Sequence, residues 1–420
     1  MEIKFLGGTE TVGKSGILVK AGGASILLDY GVAINHIPSF PMHVAPKDVD
    51  AIVVTHAHLD HSGAIPLLHV SSHIPVYGLP VTFELVELLV KDFLRLSGYY
   101  LPYEYLDLKT TLALSRPVAY GEEIKIKDAT IRFLSAGHIP GSTQVLISDG
   151  KHTLLYTGDI NDVDTALLEA ADPIQDPIDA VIIESTYAEE EHPERRKLEA
   201  SFIESIYKVV GDGGTVLVPA FGVGRSQEIL CILAKYNFEY PVTVDGMSVS
   251  ANEILMRYPS MLRDPDLYKR AIGMADWVSG WKERKRVLKK NGVIVAPAGM
   301  LRGGLAVYYA ERLAKVKQNA IFLVSYQIPG TPGSELLEHK RFIINGKARK
   351  VEALVERFDF SSHIGSSGLR RLLKELKGAS DPIKVFAVHG EKRSCQSLAK
   401  WASENNFEAL APKVGETFEI

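Results

Sequence analysis

Cysteine is nearly missing from this 420-residue chain: only Cys231 and Cys395 occur, and neither belongs to a Cys-x-x-Cys pair. That shortage excludes a disulfide-stapled scaffold and a thiolate metal site. Long apolar runs are missing too, and none approaches membrane-spanning length, so no membrane partner is expected. Neither sign of charge dominates. The net charge of −4 gives no overall pull toward polyanions, so any nucleic-acid contact has to be a local patch. Low-complexity tracts, internal repeats and Gly/Ser-rich linkers do not occur. The opening Met1-Glu2-Ile3-Lys4-Phe5-Leu6 alternates as a strand does and has no secretory apolar core, from which a cytoplasmic location is expected.

What is present is the balance of a globular enzyme, 46% hydrophobic and 23% charged, in a chain long enough for two or three domains. The first part reads as hairpins mixed with helices. Strands are expected over 3–6, 16–20 and 24–29, with Gly7-Gly8 and Gly22-Gly23 as turns, and helices over 63–70 and 81–96. Further strands follow over 123–126, 130–134, 144–147 and 153–157. That mixture implies two sheets with helices outside. After about residue 187 short apolar strands alternate with helices, the βαβ rhythm of a parallel sheet, up to a hairpin-like stretch over 341–355. The change predicts an α/β chain with a second domain inserted into the first.

The densest chemical signal is His56-Ala57-His58-Leu59-Asp60-His61, directly after the apolar stretch Ala51-Ile52-Val53-Val54. Imidazole and carboxylate are donors that Zn²⁺ prefers, and a loop at a strand's C-terminal end is where α/β proteins place chemistry. Other strand ends carry the same residue types: Asp29 after Ile26-Leu27-Leu28, His138 after Phe133-Leu134-Ser135, and Asp159 after Leu155-Tyr156-Thr157-Gly158. Singly, each aspartate could be a turn cap and His138 a polar core residue. Together with residues 56–61 they predict a metal site along one sheet edge.

Those positions resemble, in order, the four motifs of the metallo-β-lactamase superfamily. The resemblance extends to its β-CASP branch of nucleic-acid-processing nucleases. Glu184 in Ile182-Ile183-Glu184-Ser185-Thr186-Tyr187, His363 in Phe360-Ser361-Ser362-His363 and His389 in Val388-His389-Gly390-Glu391 match that branch's motifs A, B and C. Pro219–Glu228, Gly299–Gly304 and Gly330–Gly333 are similar to signatures of its inserted domain. The implied fold is an αββα metallo-β-lactamase sandwich over 1–190 and 349–420, with a β-CASP α/β domain inserted over 191–348. The resemblance implies two Zn²⁺, with Mn²⁺ as a substitute: His56, His58 and His138 on one ion, Asp60, His61 and His389 on the other. Asp159 would bridge them, and Asp29 would orient the ligand histidines from behind.

Asp60, Asp159, Glu184 and His363 are then the catalytic set, with His363 as general acid paired to Glu184. The implied activity is hydrolysis of single-stranded RNA to 5′-phosphate and 3′-hydroxyl ends, as 5′→3′ exonuclease, endonuclease or both. The assembly would be a homodimer or an RNA-processing complex. Phosphate contacts are expected at two helix starts, Gly224-Arg225 and Gly365-Ser366-Ser367. The chain departs from the branch in its Ser-His-Ile-Gly-Ser sequence at motif B, and in Ala298 and Ser334 where many relatives carry serine and arginine. The basic run over 282–290 reads either as an RNA-backbone track or as a solvated helix face, with Trp277, Trp281, Tyr99 and Tyr100 as candidate stacking groups. Tyr99 and Tyr100 are expected to pack on the helix before them. Two other readings remain: a thioester or lactone hydrolase of the same superfamily, which would lack the inserted domain, and a non-catalytic RNA-binding subunit, which would have lost metal ligands.

Overall fold

The structure, a computed structural model, describes the chain except residues 35–36, 329, 345 and 378–382. Its contacts divide it into two compact units, one of Met1–Asp164, Ala170–Glu191 and Ser362–Ile420, the other of Thr165–Glu169 and His192–Ser361.

The first unit holds two seven-stranded sheets. One runs Thr417–Glu419, Glu2–Gly7, Gly16–Ala21, Ala24–Leu28, Ala51–Val53, Val76–Gly78, Ser115–Pro117. The other runs Glu408–Leu410, Lys384–Val388, Ala180–Glu184, Thr153–Tyr156, Thr143–Ser148, Ala129–Ser135, Glu123–Ile126. Strand periodicity sends alternate side chains to opposite faces, and the two cores record it. Val181, Ile183, Val385 and Ala387 pack on Leu369, Leu373 and Leu398 of the helices Ser366–Lys377 and Lys392–Glu404. Their neighbour Phe386 points the other way and meets Phe5 of the first sheet, ring centroids 5.3 Å apart. On the first sheet's outer face Leu27 and Ile52 pack with Ile65, Leu68, Phe83 and Phe93. The layers are therefore helix, sheet, sheet, helix. The expected helix over 63–70 is two four-residue turns, Leu59–Ser62 and Ile65–Leu68. Gly7 still pairs with Gly16, so the turn read at Gly7-Gly8 is a loop spanning residues 8–15.

The second unit is built on six strands, Ala275–Trp277, Val242–Val244, Gly292–Ala296, Thr215–Pro219, Ala320–Leu323 and Leu354–Arg357, every pair parallel. Central strands such as Gly292–Ala296 are buried along their whole length, as a sheet covered on both faces requires. Arg341–Ile344 and Lys347–Lys350 form a separate antiparallel pair. Leu354–Arg357 joins the parallel sheet beside Ala320–Leu323, which carries this unit to Ser361, past the 348 expected from sequence. A short stretch the sequence did not flag, Thr165–Glu169, also belongs here: Ala166 N and Leu167 N donate to the Glu228 carboxylate at 3.0 and 2.8 Å. No helix among the described residues is long and apolar enough to cross a membrane.

Candidate metal centre

Parallel pairing gathers the chemistry at one end of the first unit. Thr153–Tyr156, Ala180–Glu184 and Lys384–Val388 are adjacent parallel strands, so Asp159, Glu184 and His389, which end or follow them, emerge at the same edge. Ala24–Leu28 and Ala51–Val53 are likewise parallel neighbours, which sets Asp29 beside Thr55 and His56. The loop of residues 56–61 is tied by Ser62 Oγ, which donates to the carbonyls of Ala57 and His58 at 2.9 and 3.1 Å. It packs directly on Gly31, where a Cβ would stand 1.7 Å from the Asp60 carbonyl oxygen. His389 sits at φ 48 and donates its amide to Gly8 O at 2.6 Å, so the residue 8–15 loop holds its backbone in place.

The seven residues expected as ligands come together in two groups that share Asp159. In each of His56–His58–His138–Asp159 and Asp60–His61–Asp159–His389 the donor atoms lie within 4.8 Å of one another. The Asp159 carboxylate divides between them. Its Oδ2 lies 3.6 Å from both His56 Nε2 and His138 Nε2. Its Oδ1 lies 3.2 Å from His61 Nε2 and 3.1 Å from His389 Nδ1. One carboxylate facing two donor clusters is the arrangement a bridging ligand requires.

The atoms behind the rings decide which nitrogens face inward. Asp29, fully buried, accepts from His61 Nδ1 at 2.7 Å, Thr55 Oγ1 at 2.8 Å and Tyr156 OH at 2.9 Å, and its other oxygen accepts from Thr55 N. Because the Thr55 hydroxyl proton goes to Asp29, that oxygen accepts from His56 Nδ1, 3.2 Å away. His138 Nδ1 donates to Ser362 O at 2.8 Å. Each hydrogen bond puts a proton on the outer nitrogen and turns Nε2 toward Asp159. Thr55, Tyr156 and Gly31 escaped the sequence reading. The usable signals were a polar residue abutting His56 and a hydroxyl-bearing aromatic closing an aliphatic strand. Replacing Asp29 by asparagine is expected to weaken metal affinity about 10–100-fold with the fold intact, read by competition with a chromophoric chelator alongside circular dichroism.

Burial holds His56 and His138 well below the ordinary imidazole range, helped at His56 by the neighbouring His61 charge and at His138 by that of His363. Burial lowers His58 as well. Asp159 stays well below the carboxylate range although burial opposes it, because His389 and His61 face it. His56, His58 and His138 are thus neutral imidazoles and Asp159 an ionised carboxylate, the forms that bind a divalent cation. Burial works against charge on His61, but Asp159 and Asp29 outweigh it and raise its pKa well above the imidazole range, so a cation bound there would displace its Nε2 proton. His56 Nε2 is buried with no hydrogen-bond partner among the described residues. A buried lone pair left unsatisfied is costly unless something fills the space before it. The residues present fit a divalent metal site.

Beside it stands an acid. Glu184 accepts from His363 Nδ1 through both oxygens, at 3.0 and 2.9 Å, and holds Ile160 N at 2.8 Å. Burial works against charge on His363, but the Glu184 and Asp159 carboxylates outweigh it and raise its pKa to about 9. Its ring centroid is 4.6 Å from that of His138, and one fifth of its side chain remains exposed.

The residues expected to hold phosphate are arranged differently. Ser366 N donates to Glu190 O at 3.0 Å, and Ser367 gives its amide and hydroxyl to the Glu191 carboxylate at 2.9 and 2.8 Å. The chain's own oxygens therefore occupy that helix start, which Gly365 enters through a bridge to Tyr187. Arg225 is buried at the start of the helix Arg225–Lys235, behind Gly224 at φ 82. Tyr99, expected to pack on the preceding helix, is 94% exposed, and Tyr100 is 47% exposed.

Three family models match the chain in sequence order: the metallo-beta-lactamase superfamily over 10–164, the Beta-Casp domain over 226–336, and a Zn-dependent metallo-hydrolase RNA specificity domain over 349–412. RNase aCSPSF2 of Saccharolobus solfataricus is 42% identical across 100% of this chain and 85% of its own length. The chain belongs to the β-CASP family of the metallo-β-lactamase superfamily. Among β-CASP relatives, the probable RNase MJ4 of Methanocaldococcus jannaschii is 35% identical, with both chains covered in full. The transcription termination factor FttA of the same organism is 34% identical over 95% of this chain and 68% of its own. A crystal structure of a protein of unknown function from Enterococcus faecalis superposes with a TM-score of 0.61 at 14% identity, covering 99% of each chain, and shares the fold.

Proposed function

We infer that this β-CASP protein is a metal-dependent ribonuclease that hydrolyses single-stranded RNA at a two-zinc centre. The observation that carries the reading is the Asp159 carboxylate, one oxygen toward His56 and His138 and the other toward His61 and His389, with His363 and Glu184 alongside. Relatives called RNases over nearly their whole length support the substrate class. When bound, a pair of divalent cations neutralises charge on a phosphodiester and activates the attacking water.

The chain's residues do the rest. His56, His58 and His138 would hold one cation, Asp60, His61 and His389 the other, and Asp159 both. His363, kept protonated at neutral pH, delivers its proton to the departing ribose 3′ oxygen, leaving 5′-phosphate and 3′-hydroxyl ends. Glu184 fixes the imidazole's tilt and stabilises its cation. Water is excluded from the ligand side by burial: His56, His61 and Asp29 are 0% exposed.

Metal analysis with a cleavage assay tests the reading. Purified protein is expected to carry about two zinc per chain, to lose activity on dialysis against chelator, and to regain it with Zn²⁺ or Mn²⁺ while cleaving labelled RNA. Turnover of a thioester or lactone with RNA left intact would overturn it.

A further inference from the structure

The tryptophan and the basic run singled out in the sequence meet in the second unit. Trp281 opens the helix Trp281–Val287 and is 58% exposed, a large apolar surface left in water. Its ring packs edge-on against Tyr308, centroids 5.1 Å apart. Each ring carries a guanidinium: Arg284 lies 4.8 Å from the Trp281 centroid and Arg312 3.7 Å from that of Tyr308. The pair is anchored from below. Asp245, fully buried at the C-terminal end of the strand Val242–Val244, accepts from Arg284 Nε and Nη2 at 2.8 and 3.0 Å and from Tyr309 OH at 2.7 Å. Arg284 is thus a strut, with its charge answered by Asp245.

The charge left over lies outside. Lys282, Lys285 and Lys289 are exposed on the same segment. Glu283, the acid among them, turns back to the amide and hydroxyl of Ser279 at 2.7 and 2.9 Å. In a chain of net charge −4 this is a local cationic surface around a rigid, exposed aromatic ring. Ligand crevices of open parallel sheets lie at the carboxyl ends of the strands, where Asp245 sits. Exposed aromatic rings stack nucleobases, and adjacent lysines answer the backbone phosphates.

We propose that the Trp281–Tyr308 pair and the lysines beside it form an accessory single-stranded RNA site, Trp281 stacking a base and Lys285 and Lys289 contacting phosphates. The proposal rests on the ribonuclease reading. Its test uses the metal-loaded His363→Ala protein, so that RNA survives the titration, with wild-type RNA cleavage measured separately; loss of that cleavage alone would sink the ribonuclease reading. Trp281→Ala is expected to weaken binding of a single-stranded oligonucleotide about tenfold, and Trp281→Phe to retain most of it. Lys285→Gln with Lys289→Gln is expected to lower the slope of log affinity against log salt by about 1.4, two contacts at roughly 0.7 each. Unchanged affinity in Trp281→Ala together with an unchanged salt slope would overturn the proposal. So would a change in sedimentation without a change in RNA affinity, which would make the patch a contact between copies of the chain.

Discussion

Replacing Asp159 with alanine is expected to strip the centre of most of its metal and to lower RNA hydrolysis by about a thousandfold or more. The carboxylate is 2% exposed and lies within 3.6 Å of four imidazole nitrogens, two on each oxygen. On the two-ion reading, removing it would leave both cations without their shared anion, an uncompensated charge in a buried site. The transition-state stabilisation lost with them is several kcal/mol, and each 1.4 kcal/mol is a factor of ten. Metal content by elemental analysis and single-turnover cleavage check it together. Asp159→Asn separates charge from shape, since it keeps one acceptor oxygen facing one cluster. Asparagine is expected to retain part of the metal and little of the activity. Full metal occupancy with activity within tenfold of wild type in Asp159→Ala would remove the basis of the two-ion reading.

Most of this centre could be read from the chain because its donors are rare residue types at strand ends. Three histidines and an aspartate in residues 56–61 follow a buried strand, and Asp29, His138 and Asp159 each follow another. A strand's C-terminal edge in a parallel arrangement is a fixed place, so naming the strands nearly names the site. Glu184 and His389 needed more. They share an edge only because Ala180–Glu184 pairs in parallel with Lys384–Val388, a neighbour two hundred residues on. Composition carries no trace of that pairing, and the family resemblance supplied it.

What stayed hidden depends on tertiary partners. Arg284 stands in a run of six basic residues and reads there as solvated or RNA-facing, yet Asp245, 39 positions earlier, holds it in place. The Gly365-Ser366-Ser367 helix start reads as an anion site, but Glu190 and Glu191 already occupy its amides. Both are cases where a local pattern specifies a donor and only the fold specifies its acceptor. The same holds for the second unit's end. The hairpin-like stretch expected over 341–355 pairs antiparallel only over 341–350, and the parallel sheet takes residues 354–357 as its edge strand.

Replacing His363 with alanine is expected to lower cleavage of RNA about 10²–10⁴-fold while leaving the metal bound. The size follows from the leaving group. A ribose 3′ oxygen departs as a strongly basic alkoxide unless a proton reaches it, whereas p-nitrophenolate is stable without one. Hydrolysis of bis(p-nitrophenyl) phosphate by the same variant should therefore fall by only a few-fold. The pH profile carries the sign. His363 is raised to about 9 by the Glu184 and Asp159 carboxylates against the pull of burial, so it is the acid form below that pH and is lost above it. Wild-type kcat/KM should fall as pH rises through this value. Cations bound beside the ring would disfavour its charge, so the limb should lie at or below pH 9. In His363→Ala that alkaline limb should be absent. Glu184→Gln keeps a hydrogen-bond acceptor but removes the charge that raises the imidazole, so its limb should move to lower pH. A profile unchanged in both variants, or equal losses on RNA and on the activated diester, would assign His363 to binding or structure and leave the proton for the 3′ oxygen to come from water.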